Sequence, residues 1–293
     1  MRFLALENGR LRGDDLEPLA GLRELKALWV DANEIDGGGL QHIGSMPKLI
    51  WLKATLNKIE GPGLADLAKS KTINWLEIDH NPISDEGGCH LGKMSQLRLL
   101  KIDHTNLGDN SLAAFANLKE LEYLLVGDTK ITDDGLVHLS RLTRLRDLHV
   151  GRTSISDRGL VHLAPLTEIG QLEINDTQVT GSAFRDLQTL TKLAMLHSSR
   201  CPISDEGARW MTQLPRVRAL DLNGPGVSPQ VFAELKWPTS LQSLDVSGSK
   251  FTDEALMNLA NCPNVLGVTV QGSQVTPEGI RRFQQARPGV VVK

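Results

Sequence analysis

Three residues of metal-binding type, His149, Glu173 and His197, recur at intervals of 24 along this chain of 293 residues. Two imidazoles and a carboxylate are a ligand set for zinc, provided that they converge on one ion. On successive parallel strands the outer pair would stand about 9.6 Å apart at the backbone, twice the strand spacing. They are expected to be solvated surface residues, and neither metal nor cofactor is expected. Serine, histidine and aspartate suited to acyl transfer are also present, but GxxxxGK(S/T), GxSxG, HExxH and CxxC are all absent. Gly37–Gly39 is a run of three glycines at a helix start, where backbone geometry accounts for it. On an open, watered sheet there is little to exclude solvent or shift a pKa, so no catalysis is expected. Cys89, Cys201 and Cys262 are odd in number and lack metal spacing, which suits free thiols in a reducing compartment. The expected location is cytoplasmic. A second set, His42, His90, His138 and His162, falls on one helical position and is expected at the surface.

The elements that carry these residues follow from a repeat. Leu121–Arg144 reads LEYLLVGDTKITDDGLVHLSRLTR, and Leu145–Glu168 reads LRDLHVGRTSISDRGLVHLAPLTE. A period in this range marks a solenoid and has to be settled first. The 24-residue frame runs to the last residue without insertion, with twelve repeats opening at 1, 25, 49, 73, 97, 121, 145, 169, 193, 217, 241 and 265. The fourth position is Leu until Val268, and the sixth is mostly β-branched or Leu. That alternation predicts a short strand. Further on, Leu136, Leu139 and Leu142 fall three apart, as on one face of a helix of about two turns. Its start shows in the twelfth position, where Ser84, Thr132, Ser156, Thr180, Ser204, Ser228, Thr252 and Thr276 are N-cap types. Asp85, Asp133, Asp157, Asp205 and Asp253 follow them, suited to the positive end of the helix dipole, or Pro229 and Pro277, tolerated at the first helical position. One such unit cannot bury its apolar face alone, so neighbours stack into a parallel sheet, with the wider helices outside an arc.

The pattern LxxLxLxxTxI(T/S)DxGLxxLxxL resembles the leucine-rich repeat superfamily, and is similar to the 24-residue subtype of F-box-type and bacterial repeat proteins. The resemblance covers the whole chain and implies an α/β solenoid, horseshoe or arc, with a parallel sheet on the concave face and short helices on the convex face. It also implies a concave sheet that binds protein. The ninth position, where the family turns Asn, Thr or Cys inward onto the backbone, holds Asn33, Asn57, Asn81, Thr105, Thr129, Thr153, Thr177 and Cys201. Pro225, Ser249 and Ser273 depart from that pattern, and an irregular turn is expected around Gly224–Gly226. One domain over 1–293 is expected, with a closing strand near 289–293. The first residue already belongs to a repeat, so no F-box and no N-terminal cap are expected. The first unit should then fray, cover itself by dimerising, or belong to a longer chain.

Partner-facing residues follow from alternation. Positions three, five and seven should face the concave surface, with the eighth at its rim. Trp51, Trp75, Leu99 and Tyr123 share one position in four successive repeats, so they should form a contiguous exposed stripe. Phe3, Trp29 and Leu125 extend it, and Lys53, Glu77, Asp79, Lys101 and Asp103 should supply polar contacts around it. Aromatic residues are enriched at interface hot spots, although rings on adjacent strands can also simply stack on one another. At positions three, five, seven and eight, eleven acids stand against four bases. A surface of that sign suits a basic or mixed-charge protein and disfavours nucleic acid. Part of the charge should be compensated between rungs, Lys53, Glu77 and Lys101 in one row and Asp128, Arg152, Asp176 and Arg200 in another. With 40% hydrophobic and 23% charged residues and a net charge of −3, the composition is that of a folded chain without electrostatic drive toward nucleic acid or membrane. The opening MRFLALENGRLRGDDL is neither signal nor transit peptide, and no apolar run is long enough to span a bilayer. The function expected is a non-enzymatic protein-interaction scaffold binding through its aromatic N-terminal half. The alternatives are a self-associating structural repeat, or a small-molecule or glycan receptor on the stripe.

Overall fold

Each repeat places its third to fifth residues in a strand, because the fourth is buried and its two neighbours face outward. The computed structural model describes residues 2–293, so Met1, which opens the first repeat, lies outside the described residues. The chain divides into two compact units, Met1–His149 and Val150–Lys293.

In the first unit the strands are β1 (Phe3–Ala5), β2 (Ala27–Trp29), β3 (Trp51–Lys53), β4 (Trp75–Glu77), β5 (Leu99–Lys101), β6 (Tyr123–Leu125) and β7 (Asp147–His149). All pair parallel with an offset of one repeat, so Leu28, Leu52, Leu76, Leu100, Leu124 and Leu148 lie side by side. These leucines are fully buried, as are Val30, Ile78, Ile102 and Val126 at the sixth position. Repetition at a fixed offset thus turns one apolar column of sequence into one continuous layer of core.

The turn after each strand is held from inside. Asn81 accepts the N–H of Ile59 at 3.0 Å and donates to the carbonyls of Ala54, Ile78 and Asp79. Asn33 and Asn57 make equivalent bonds two repeats and one repeat earlier. At Thr105, Thr129 and Thr153 a hydroxyl takes over and donates back to the carbonyl three residues before it, as Thr105 does to Ile102 and Thr129 to Val126. The residue just before, at the eighth position, is left-handed throughout: Asn8, Ala32, Leu56, His80, His104 and Asp128 all have φ between 52° and 58°. The sequence reads that column only as a rim, yet it is the hinge on which every repeat turns.

The helices of the first unit are less uniform than the cap pattern predicts. Regular helices span Asp85–Leu91, Asp109–Phe115 and Asp133–Leu139, whereas the first repeat uses a 3-10 segment, Gly13–Gly21, and the next two open on 3-10 turns, Gly37–Gly39 and Gly61–Gly63, before short α-helices at Leu40–Gly44 and Leu64–Leu67. In those repeats glycines press backbone against backbone: a Cβ on Gly63 would lie 2.1 Å from the Cα of Gly37. The tighter 3-10 winding accompanies that approach. Where Asp stands at the helix start it does more than meet a dipole. Asp85 accepts the N–H groups of Gly108 and Ser111 and the Ser111 hydroxyl, all in the next repeat.

The second unit contains β8 (Gln171–Glu173), β9 (Met195–His197), β10 (Ala219–Asp221), β11 (Ser243–Asp245), β12 (Gly267–Thr269) and β13 (Val291–Val292), again parallel and in register. Ser204, Ser228, Thr252 and Thr276 cap their helices by accepting a helical N–H, as expected. Thr180 does not; its hydroxyl donates to Asp157, and Gly181 at φ 90° leads into a 3-10 segment, Ser182–Thr189. Before Pro225 the eighth residue, Gly224, keeps the left-handed turn of the other repeats, at φ 99° against 52–71° elsewhere in the column. Left-handed Arg152, Asp176 and Arg200 give way to Gly224, Gly248 and Gly272 in the same column. Among the described residues, no helix is long and apolar enough to cross a membrane.

Candidate binding face

Residues three and five of each repeat leave the core on the open side of the sheet, which in the first unit collects the aromatic side chains. Register sets Phe3 beside Ala27, Ala27 beside Trp51, Trp51 beside Trp75, Trp75 beside Leu99, and Leu99 beside Tyr123. Trp29 enters the row from the last residue of β2, the fifth position of its repeat. The rings form a chain of edge contacts: Phe3–Trp29 at 4.8 Å and 85°, Trp29–Trp51 at 5.2 Å and 68°, and Trp51–Trp75 at 5.5 Å and 62°. Tyr123 reaches Trp75 at 6.4 Å across Leu99. Edge-to-face geometry suits the aromatic quadrupole.

This packing corrects one expectation. The stripe is contiguous but not freely exposed, because each ring shelters the next; Trp29, Trp51, Leu99 and Tyr123 are half-buried. Phe3 at 49% and Trp75 at 36% are its exposed members. Leu125, at the fifth position of its repeat between Lys101 and His149, lies beside the row.

The charged residues also distribute differently from the expected rung-to-rung pairing. Lys53 turns to Asp31 at 2.5 Å and lies 5.5 Å from the Trp29 ring centroid. Lys101 turns to Asp79 at 3.4 Å. Glu77, between them, accepts the Trp51 indole N–H at 2.9 Å. The lysines go to the seventh-position aspartates because those carboxylates are the more buried and gain more from a cation. Asp79 is the second correction: it is 2% exposed. Its carboxylate takes the Thr55 hydroxyl and the His80 ring, so it braces the turn and is not available to a partner. Asp103 accepts the N–H of Gly127 at 2.7 Å and is half-buried. Burial pushes its carboxyl above the ordinary value, with Asp79 adding to the rise and the Gly127 N–H and Lys101 opposing it.

At the rim, His80 and His104 stack at 4.0 Å between centroids, and His104 meets Asp128 at 2.6 Å. His149 pairs with Asp147 at 3.0 Å in the first unit, and His197 with Asp221 at 3.1 Å in the second. Among the described residues, no three or more His, Cys, Asp or Glu are placed to hold a metal ion. In the second unit Asp176 lies between Arg152 and Arg200, as the row of alternating charges predicts. Arg200 above all holds the Asp176 carboxyl below its usual range.

Two features of the face escaped the sequence reasoning. Ala27 is half-buried, with Phe3 and Trp51 beside it on neighbouring strands and Trp29 two residues on, whose ring packs against both of theirs. Leu56, left-handed at φ 56°, is 54% exposed at the rim. The signal for the first was present, since Ala27 is the small residue between Phe3 and Trp51 in their column.

The comparisons with known proteins agree with this architecture. A family model described as Leucine Rich repeat matches residues 238–260. The fold is similar to an internalin, inlF, from Listeria monocytogenes, with TM-score 0.71 and 19% identity over 100% of this chain and 86% of that one. It is also similar to internalin C2 from the same organism, with TM-score 0.58 and 22% identity over 70% of this chain and 89% of that one. A third likeness is to the plant peptide hormone receptor RGFR1 in complex with RGF2, with TM-score 0.61 and 16% identity. There the match covers 93% of this chain and 42% of the receptor chain. No curated protein sequence matches the chain. Repeat, sheet and helices together give this chain a leucine-rich repeat solenoid fold similar to that of the internalins.

Proposed function

We propose that this protein is a non-enzymatic interaction scaffold that binds a protein partner on the open strand face of Met1–His149. The carrying observation is the unbroken aromatic row from Phe3 to Tyr123, which leaves Phe3 and Trp75 exposed on a sheet. Rings already held by their neighbours lose little freedom on binding, which suits them as anchors. Glu77 and Asp103 stand nearby and favour a partner with a basic or mixed-charge surface. The structural neighbour RGFR1 is seen with its peptide hormone RGF2, which supports a binding role for this kind of fold. Residence in the cytoplasm is part of the same proposal, resting on the three free cysteines. The test is affinity capture followed by mass spectrometry, wild type against Trp51→Ala/Trp75→Ala. Loss of the two anchors should cost more than about 2 kcal/mol of binding, about 30-fold in affinity. A double variant that retains the partner at wild-type affinity would refute the assignment.

A further inference from the structure

Outside the sheet, two kinds of link tie each repeat of Val150–Lys293 to the next. One is a turn bond from the N–H of the tenth residue to the carbonyl of the eleventh residue one repeat earlier. Gln178 makes it to Ile155 and Gln274 to Phe251, both at 3.0 Å. The other is a brace, in which the carboxylate at the thirteenth position accepts the backbone N–H at the twelfth position of the next repeat. Asp157 so holds Thr180, Asp205 holds Ser228 and Asp253 holds Thr276, at 2.6–2.8 Å. Pro202 has no N–H to give, and there Ser204 bonds to the Thr180 carbonyl at 2.9 Å instead. Gly226 makes no turn bond, but the Asp205 brace spans that boundary. Between residues 217–240 and 241–264 both links are missing. Among the described residues Lys250 makes no bond to Val227, and Pro229 stands where the braces have aspartate.

Packing is thinned at the same boundary. The helix before it stops at Glu234, after six residues against seven in Asp205–Met211 and Asp253–Leu259, and Leu235 is extended at ψ 135°. The twenty-second position, a buried leucine at Leu166, Leu190 and Leu214, becomes Pro238 and then Cys262. A cavity of about 270 Å³ remains, lined from both sides by Leu235, Trp237, Asn258 and Cys262 among others. The Trp237 indole N–H is buried without a partner. A void and an orphaned donor both cost stability. The boundary is held by the pairing of β10 with β11, by the Phe232–Phe251 edge contact at 5.1 Å, and by side-chain bonds from Asn223, Asn258 and Asn264.

We propose that this boundary is a joint: residues 241–293 open away from the preceding repeats as one body, while the repeats before them stay folded. In a repeat array each unit contacts only its neighbours, so the weakest interface sets where the array opens. Opening uncovers Phe232, which is fully buried when the joint is closed. The test is hydrogen exchange of the full chain in dilute urea, read by mass spectrometry. Amides of β11, β12 and the helix Pro277–Ala286 should share one protection factor, about tenfold below that of β8 and β9. Pro229→Asp supplies the missing brace to Thr252. It should raise protection across 241–293 about tenfold and leave 169–216 unchanged. Asp253→Asn weakens the following boundary instead and should lower protection only beyond residue 265. A smooth gradient of protection from 293 inward overturns the proposal, because fraying has no preferred boundary. So does one value shared across 169–293, or a Pro229→Asp protein that exchanges as wild type does.

Discussion

Replacing Asn81 by alanine tests the account of how each repeat turns. The side chain is buried and spans two repeats: its Oδ1 accepts the Ile59 N–H, and its Nδ2 serves the carbonyls of Ala54, Ile78 and Asp79 at 2.9–3.2 Å. Two amide hydrogens are shared among three acceptors, so the firm loss is one accepted and two donated bonds. An orphaned buried N–H costs about 1–3 kcal/mol, and each lost bond to a carbonyl about 0.5–1.5 kcal/mol. Asn81→Ala should therefore destabilise by about 3 kcal/mol. Thr105→Val, one repeat later, removes a single hydroxyl bond to Ile102 and should cost about 1 kcal/mol. Urea unfolding followed by tryptophan fluorescence measures both, and amide exchange at Ile59 locates the damage. The reasoning fails if the two variants cost the same, or if the Ile59 amide exchanges no faster in Asn81→Ala.

The other predictions concern strain and charge. Leu56 holds a left-handed backbone at φ 56° that a branched side chain disfavours. Leu56→Asn should therefore stabilise by about 0.5–1 kcal/mol in the same urea assay, and a loss of stability would show that the exposed leucine packs usefully. Asp103 has a carboxyl raised by burial, so its contribution is full below the unfolded value and is lost as pH rises through the folded value. Asp103→Asn keeps an acceptor for Gly127 and should be the more stable protein at neutral pH. Its advantage should shrink on acidification through the folded pKa, and a midpoint difference that widens toward acid would contradict the assignment.

Much of this molecule is legible in one repeat. The fourth and sixth positions specify the buried side of a strand, the ninth supplies the polar atom that satisfies the turn, and the twelfth and thirteenth mark a helix start. These are local requirements repeated at fixed spacing, so columns of sequence become layers of structure without knowledge of distant contacts. The left-handed eighth position was read only as a rim, although Gly224, Gly248, Gly272 and Asn8 stand in its column.

The face was legible only in part. That Trp51, Trp75 and Tyr123 share a surface follows from the period, because parallel pairing with a one-repeat offset leaves them no other place. How exposed they are, and which acids remain for a partner, depended on side chains from different repeats settling together. Lys53 could have met Glu77 or Asp31, and Asp79 could have faced solvent. Burial decided both, since a desolvated carboxylate draws the nearest cation and hydroxyl. The sequence alone thus determined the ladder and the residues on each rung. The tertiary structure decided that the stripe is a row of mutually sheltered rings, because edge-to-face packing and ion pairing are competitions among neighbours that no single repeat contains.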